Sequence, residues 1–337
     1  MEIETGCFVA CVSAEGFIPT KRLNKKYKEV FFIMINGRVR ASAAVKQKYF
    51  KRLMSIIDEM NNSVNWWLGA RYKENEKEIV ANDIKSWSKA ERVSAERHFE
   101  ARGSKGLGTA TECPTSLAFD SAAGDIEKEL KDLMKRWSKR FDEAAKDIAK
   151  DFVKSAVNHS TNNLKELLKK AGWTTNLKLS RKAQDKLKAL VLENINLIKS
   201  IEKEYFTQLT TITMESITRG RDLKYLKDEI KKRYGVVERR AALIARDQNN
   251  KATSIIIHTE YEELGITEAI WKHNPGSKEP RHEHVAANNK VYDIKKGMFF
   301  ESAGRHVFPG EEINCGCTSE PIIPEIRGLQ LKRIEER

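Results

Sequence analysis

Residues 125–158 read DIEKELKDLMKRWSKRFDEAAKDIAKDFVKSAVN, and the apolar face of that stretch decides the fold class. Ile126, Leu130, Leu133, Trp137, Phe141, Ala145, Ile148 and Phe152 recur every three or four residues. That spacing lines them along one side of a helix with Lys, Asp and Glu on the other, and Asp125 caps its start. A short helix at 164–170 is expected next, closed by Gly172 with Lys169 and Lys170 in its last turn. Ser180 opens a longer run through Leu187, Leu190, Val191, Ile198, Ile201, Tyr205, Leu209, Ile212 and Ile217, read as broken once. Arg219, Gly220 and Arg221 interrupt that run. Asp222 then caps a helix reaching Gly235, and a further helix with Ala242, Leu243, Ala245, Ile255, Ile256 and Leu264 starts after Val236.

Upstream, Val45, Tyr49, Leu53, Ile56 and Met60 form another helical stripe that Val64, Trp67, Leu68 and Tyr72 extend. Before it, VFFIMI (30–35) is β-prone and is followed by Asn36-Gly37 and Arg38-Val39-Arg40, the pattern of a hairpin. The expected fold is therefore mainly α, an amphipathic helical region followed by a small α+β, loop-rich C-terminal module. The expected domains are a basic N-terminal region with a short hairpin and helices (1–100), a flexible linker (101–120) and a helical domain (121–267). A small His/Cys-containing module (268–324) and a charged tail (325–337) complete the chain. The linker reading rests on GSKGLGTATECPTS (103–116), which carries no apolar stripe.

The chain has 337 residues, 40% of them hydrophobic and 32% charged, a mixture that excludes a disordered tail and a membrane protein. Its formal net charge of +13 favours polyanionic partners such as nucleic acid or an acidic protein wall. The charge is uneven: +6 over 1–119, +6 over 120–270 and +1 over 271–337, with +10 within 20–52 alone. That last stretch holds Lys21, Arg22, Lys25, Lys26, Lys28, Arg38 and Arg40, a candidate contact for nucleic acid or another anionic surface; a solvated charge run is the alternative. The helix-turn-helix spacing around Arg239, Arg240, Arg246 and Lys251 invites a DNA-reading hypothesis, but antiparallel helices with tight turns are general in all-α proteins and are the favoured reading. Five cysteines, an odd number in a long chain, point to a reducing compartment. With no signal peptide visible at the start and no long apolar run, no membrane partner is expected, and the setting is a cytoplasm or a particle assembled there.

Residues 268–324 carry the most distinctive chemistry. Four of the seven histidines (His273, His282, His284, His306) and two of the five cysteines (Cys315, Cys317) fall there, in a segment with little core for its length. His282, His284, Cys315 and Cys317 would supply a structural zinc site; buried free thiols are the other reading. A C-x-C pair in an extended strand points its sulfurs to opposite faces, so shared ligation needs a bend at Gly316. Two enzymatic motifs fail on the residues themselves. Four positions after His282 stands Ala286 rather than the second histidine of a zincin; His282 is followed two on by His284 rather than the glutamate of a zinc deaminase, and no P-C-x-x-C occurs. Nucleophile-elbow and P-loop patterns are missing as well, so no complete catalytic motif is present and the chain reads as a non-enzyme.

The order of elements is itself a signature. RAALIARDQNNKA (240–252), Gly265-Ile266, Trp271, PRHEH (280–284), Val291-Tyr292-Asp293, PGEEINCGC (309–317) and Pro321 together resemble the phage Mu F-like minor head protein family, also called the head morphogenesis family. The likeness spans roughly residues 190–324; LMKRWSKRFDEAAKDIAKDFV (133–153) and LLKKAG (167–172) are weaker companions upstream. It implies a structural component of a tailed-phage head, a few copies per particle at or near the portal vertex, acting in assembly or in DNA packaging and delivery. The implied partners are the portal protein, the major capsid or scaffold protein, and double-stranded DNA read without sequence preference. The implied location is the virion, with the host cytoplasm during assembly. Positions matching the family's characteristic residues are Arg246, Trp271, Arg281, His284, Asp293, Pro309, Gly310, Asn314, Cys315 and Cys317, with Gly316 where the family usually has arginine. Two other readings stay open: a metal-dependent nuclease or hydrolase built on the His/Cys cluster, and a host-acting protein ejected with the genome.

Overall fold

A computed structural model describes residues 32–34, 37–86, 116–171, 173–175, 180–276, 279–324 and 332–333. Its elements run β1 (Phe32–Met34), α1 (Ala43–Ser86), α2 (Ser116–Lys170), β2 (Trp173–Thr174), α3 (Arg181–Thr218), α4 (Leu223–Glu263) and β3 (Glu268–Lys272). They continue α5 (His282–Ala286), β4 (Val291–Asp293), β5 (Met298–Phe300), β6 (Arg305–Val307), β7 (Thr318–Pro324) and β8 (Lys332–Arg333). The fold is mainly α with a small sheet-containing C-terminal module. No helix among the described residues is long and apolar enough to cross a membrane.

Two compact units are each assembled from separated stretches of chain: Met54–Ala144 with Ile198–Arg240, and Met1–Leu53 with Ala145–Leu197 and Ala241–Arg337. The first is a set of four helical segments around an apolar interior. Met60, Val64 and Leu68 of α1, Ile126, Leu133 and Phe141 of α2, Tyr205, Phe206 and Leu209 of α3, and Leu226 and Ile230 of α4 are all buried, as the 3.6-residue period requires. Amphipathic side chains finish its edges: the Trp137 indole N–H donates to Ser63 Oγ (3.3 Å), and the Tyr205 hydroxyl donates to Asn61 Oδ1 (3.2 Å).

The second unit holds the sheet and the helical segments beside it. A chain of buried contacts, one stacked and two hydrogen-bonded, ties four helices together. Tyr49 stacks on Phe152 with centroids 4.2 Å apart and donates to Asn194 Oδ1 (2.9 Å), while Asn194 Nδ2 donates to Gln248 Oε1 (3.0 Å). Because each group is satisfied, an asparagine is tolerated at a core position of α3. The sheet is antiparallel in the order β1-β7-β3-β4, with Trp271 opposite Ser319 and Ala269 opposite Tyr292. One apolar cluster joins it to α2 and α4 through Val39, Leu164, Leu168, Ile257, Tyr261, Trp271, Tyr292, Phe300 and Val307.

Several boundaries differ from the sequence expectations, for identifiable reasons. Helix α2 starts at Ser116, so Asp125 is an exposed interior residue rather than a cap, and the helix enters the stretch read as linker; residues 101–115 lie outside the described residues. It also runs on to Lys170 without a break before residue 164. The weak helix formers at 158–163 stay helical because Leu164 and Leu168 are anchored in the core, and tertiary packing outweighs local propensity. Helix α3 is unbroken from Arg181 to Thr218, with Ser180 Oγ accepting from the Ala183 N–H (3.1 Å). The interruption at 219–221 is real: Gly220 and Arg221 take positive φ (79° and 66°), and Asp222 Oδ1 caps α4 by accepting from the Tyr225 N–H (2.8 Å).

Gly235 does not end α4, which continues to Glu263. Leu226, Ile230, Val237, Ala241 and Ile244 keep one buried phase across it, and a lone glycine costs only about 1 kcal/mol against such packing. A second turn is thus missing from the helix-turn-helix pattern, and Ala242 and Leu243 face outward. The hairpin expected at 30–40 is not formed either. Residues 37–40 are not a strand, and β1 pairs instead with β7, Phe32 opposite Pro324 and Met34 opposite Ile322.

Candidate functional site

One face of α4 carries Arg246, Asn250, Ser254 and His258, four polar residues spaced four apart and therefore stacked along the helix. Each engages the C-terminal module, and burial rises along the row from exposed Arg246 to buried His258. Arg246 Nη2 donates to Asn314 Oδ1 (2.5 Å). Asn250 Nδ2 donates to the Cys315 carbonyl (3.1 Å), and Ser254 Oγ donates to the Pro309 carbonyl (2.6 Å). Neighbouring Asp247 accepts from the Asn314 N–H (2.8 Å). The row forms a clasp on the loop from Pro309 to Cys317.

The loop's own residues fit that clasp. Asn314 sits at φ 61° and Gly310 at φ 84°, the left-handed region that favours asparagine and glycine. A Cβ on Gly310 would stand 3.2 Å from the Cys317 carbonyl oxygen and 3.3 Å from Ser254 Cβ, so the position needs glycine for both conformation and space. Gly316 serves differently: a Cβ there would meet Asn274 Nδ2 at 2.6 Å.

His258 closes the row in a buried network. Its Nε2 lies 2.7 Å from the Tyr292 hydroxyl and 3.1 Å from Ser319 Oγ, while Nδ1 lies 2.8 Å from the Ser254 carbonyl. A carbonyl can only accept, so Nδ1 carries the proton and Nε2 is the acceptor in a neutral ring. Desolvation holds that neutral form, bringing the imidazole down to about 4.

The bend beyond Asn314 turns both cysteines to one side. His284, Cys315 and Cys317, all buried, bring one ligand atom each to within 4.8 Å of one another. Cys315 Sγ is 3.4 Å and Cys317 Sγ 3.7 Å from His284 Nδ1. The other side of the ring meets Glu312, Nε2 to Oε2 3.1 Å, and Glu312 also contacts Arg281 (3.4 Å), whose Nη2 donates to the Ile313 carbonyl. Phe300 stacks on His284 (4.8 Å, 30°) and Trp271 meets its edge. Hydrogen bonding between the sulfurs pulls the Cys317 thiol down to about 7 and, with burial, pushes Cys315 up. Such donor chemistry, two thiols and an imidazole, suits zinc.

Of the sequence-predicted residues, Arg246, Trp271, Arg281, His284, Pro309, Gly310, Asn314, Cys315 and Cys317 come together in or around this clasp. Asp293 does not: it is exposed on β4 and caps the following turn, accepting from Lys295 and Lys296 N–H (2.7 and 3.1 Å). Neither His282, which is exposed on α5, nor His273 is among the three clustered ligands, but His273 Nδ1 lies 3.7 Å from Cys317 Sγ. Lys21, Arg22, Lys25, Lys26 and Lys28 lie outside the described residues. Arg38 and Arg40 line a cavity of about 170 Å³ together with Asn250, Ser254, Asn274 and Cys317, and burial lowers the Arg38 guanidinium. Asn250, Ser254, His258 and Glu312 were not singled out from the sequence, although the four-residue spacing from Arg246 to His258 is visible in it.

Residues 207–320 match a family model described as phage Mu protein F like protein. An uncharacterized protein of Haemophilus influenzae is 31% identical over 150 residues, which cover 44% of this chain and 32% of that relative. The matched stretch thus spans about a third of the relative's length. No solved structure matches. Residues 207–320, which include the α4 row and the loop it clasps, are thus similar to the phage Mu protein F-like family.

Proposed function

We propose that the protein is a minor component of a tailed-phage head that acts in head morphogenesis at or near the portal vertex. The observation that carries this reading is that the ordered elements at 246–317 converge on one clasp inside the segment the family model matches. The clasp is a folding device: its hydrogen bonds tie a loop to a helix. No described residue in it needs a catalytic role. Partners are then the portal and the major capsid or scaffold protein. Mass spectrometry of purified procapsids and mature heads tests the reading; the protein is expected in at least one of them, and its absence from both overturns it.

DNA contact is a separate part of the reading, and it rests on charge. The excess of +10 over 20–52 suits phosphates, whose neutralisation releases counterions and makes binding fall steeply with salt. Reversing Lys21, Arg22, Lys25, Lys26 and Lys28 to Glu is expected to weaken DNA retention for all sequences alike and to flatten the salt dependence by up to about five charges' worth of slope. Filter binding over a salt series measures it; an unchanged slope assigns that patch to protein or solvent.

A further inference from the structure

We propose that His273, His284, Cys315 and Cys317 bind a single zinc ion that locks the C-terminal module, with His273 rather than His282 as the fourth ligand. This goes beyond the head-morphogenesis reading and does not depend on it. A tetrahedral site with Zn–S near 2.3 Å and Zn–N near 2.0 Å requires N-to-S edges of about 3.5 Å. The three observed edges are 3.4 Å (His284 to Cys315), 3.7 Å (His284 to Cys317) and 3.7 Å (His273 to Cys317); His273 meets the group through Cys317 and stands outside the three ligands that lie within 4.8 Å of one another, so its ring must close in on the ion. All are between ring nitrogens and sulfurs of the residue types that structural zinc sites use.

The surroundings are built for that arrangement. Glu312 takes the Nε2 side of His284, so the Nδ1 lone pair is left directed toward the two sulfurs, the carboxylate–histidine–metal pattern that fixes tautomer and ring orientation. Arg281 holds Glu312 in turn. His273 is placed by its backbone N–H donating to Asn288 Oδ1 (2.9 Å), and the C-x-C bend by Asn250 on the Cys315 carbonyl. Two thiolates neutralise a divalent ion, which lets the group be buried without a net charge. Four protein ligands close the coordination sphere, the arrangement of structural rather than catalytic zinc. The module is made of short strands and turns around a modest core, the situation in which a metal staple adds most.

The test uses the full chain, purified without chelator and dialysed against metal-free buffer. Elemental analysis is expected to give about one zinc per chain, and exchange with cobalt(II) to give thiolate-to-cobalt charge transfer with the intense visible bands of a tetrahedral site. His282→Ala should keep the metal and those bands, while His273→Ala should weaken retention markedly and alter the bands. Glu312→Gln should lower affinity by roughly 10-fold. Wild-type protein that holds no zinc and gives no such cobalt spectrum overturns the proposal without any variant. Equal loss in His282→Ala and His273→Ala overturns the ligand set.

Discussion

Trp271→Ala is expected to destabilise the sheet-bearing unit by about 3–5 kcal/mol, the cost of emptying a large aromatic site in a core. Trp271 is fully buried and sits at the meeting point of three rings, 5.2 Å from His284, 5.1 Å from Phe300 and 6.1 Å from Tyr292 between centroids. No other described side chain touches both the His/Cys group and the His258–Tyr292 network through ring contacts of this kind. Its neighbours lie on β3, β4, β5 and α5, short elements that cannot collapse onto a void without losing register. Urea unfolding measures the loss as a lower midpoint at nearly constant slope. Trp271→Phe keeps a ring against Phe300 and should cost less. A midpoint unchanged by the alanine substitution would show that this core does not hold the module together.

The second large effect is a pH dependence with a definite sign. His258 is held neutral in the fold, its value falling from 6.5 to about 4. The unfolded chain therefore binds the extra proton over that interval. Its contribution to stability is complete above the unfolded value and is lost as pH falls toward the folded one. From about pH 8 to about pH 5 this amounts to roughly 2 kcal/mol. Glu260 in the same unit works the other way. Desolvation raises its carboxyl from 4.5 to about 7, so the folded state holds the proton longer and gains as pH falls through that range. Asp247, also raised by burial, has the same sign. Glu202 in the other unit is likewise raised by desolvation to about 7, so wild-type stability should not fall toward pH 5, whereas Glu202→Gln combined with Glu260→Gln removes both opposing carboxyls and exposes the histidine slope. Urea midpoints across the range decide it. If the double variant shows no fall in stability toward pH 5, His258 is not a neutral buried ring.

Both predictions rest on features that the sequence shows unequally. Trp271 is visible as one member of an ordered set, and Tyr292 as another, but nothing local says that they share a core. The four polar residues from Arg246 to His258 are evenly spaced on one helix face. A reading that follows apolar residues passes over them, because buried polar rows become intelligible only with their partners in place. His273 and His282 are equally plausible ligands by composition. Their separation follows from the chain path: β3 delivers His273 beside the cysteines, whereas α5 directs His282 to solvent and His284 inward.

By itself the sequence determined the helical class, the faces that Ile126 to Phe152 and Leu226 to Ile230 bury, the turn at 219–222 with its Asp222 cap, and the family signature spread over 240–321. These are local or ordered properties, set by a 3.6-residue period, by capping chemistry and by residue types at fixed spacing. Tertiary structure alone decided that α2 passes through 158–163 and α4 through Gly235, that β1 pairs with β7 instead of forming a hairpin, and that the C-x-C sulfurs meet His284. Each of these depends on groups distant in the chain, such as the core anchoring Leu164, the edge offered by β7, or Asn250 and Asn274 around the cysteine bend. The energy of a contact with a distant partner outweighs the roughly 1 kcal/mol preferences that a short stretch of sequence expresses.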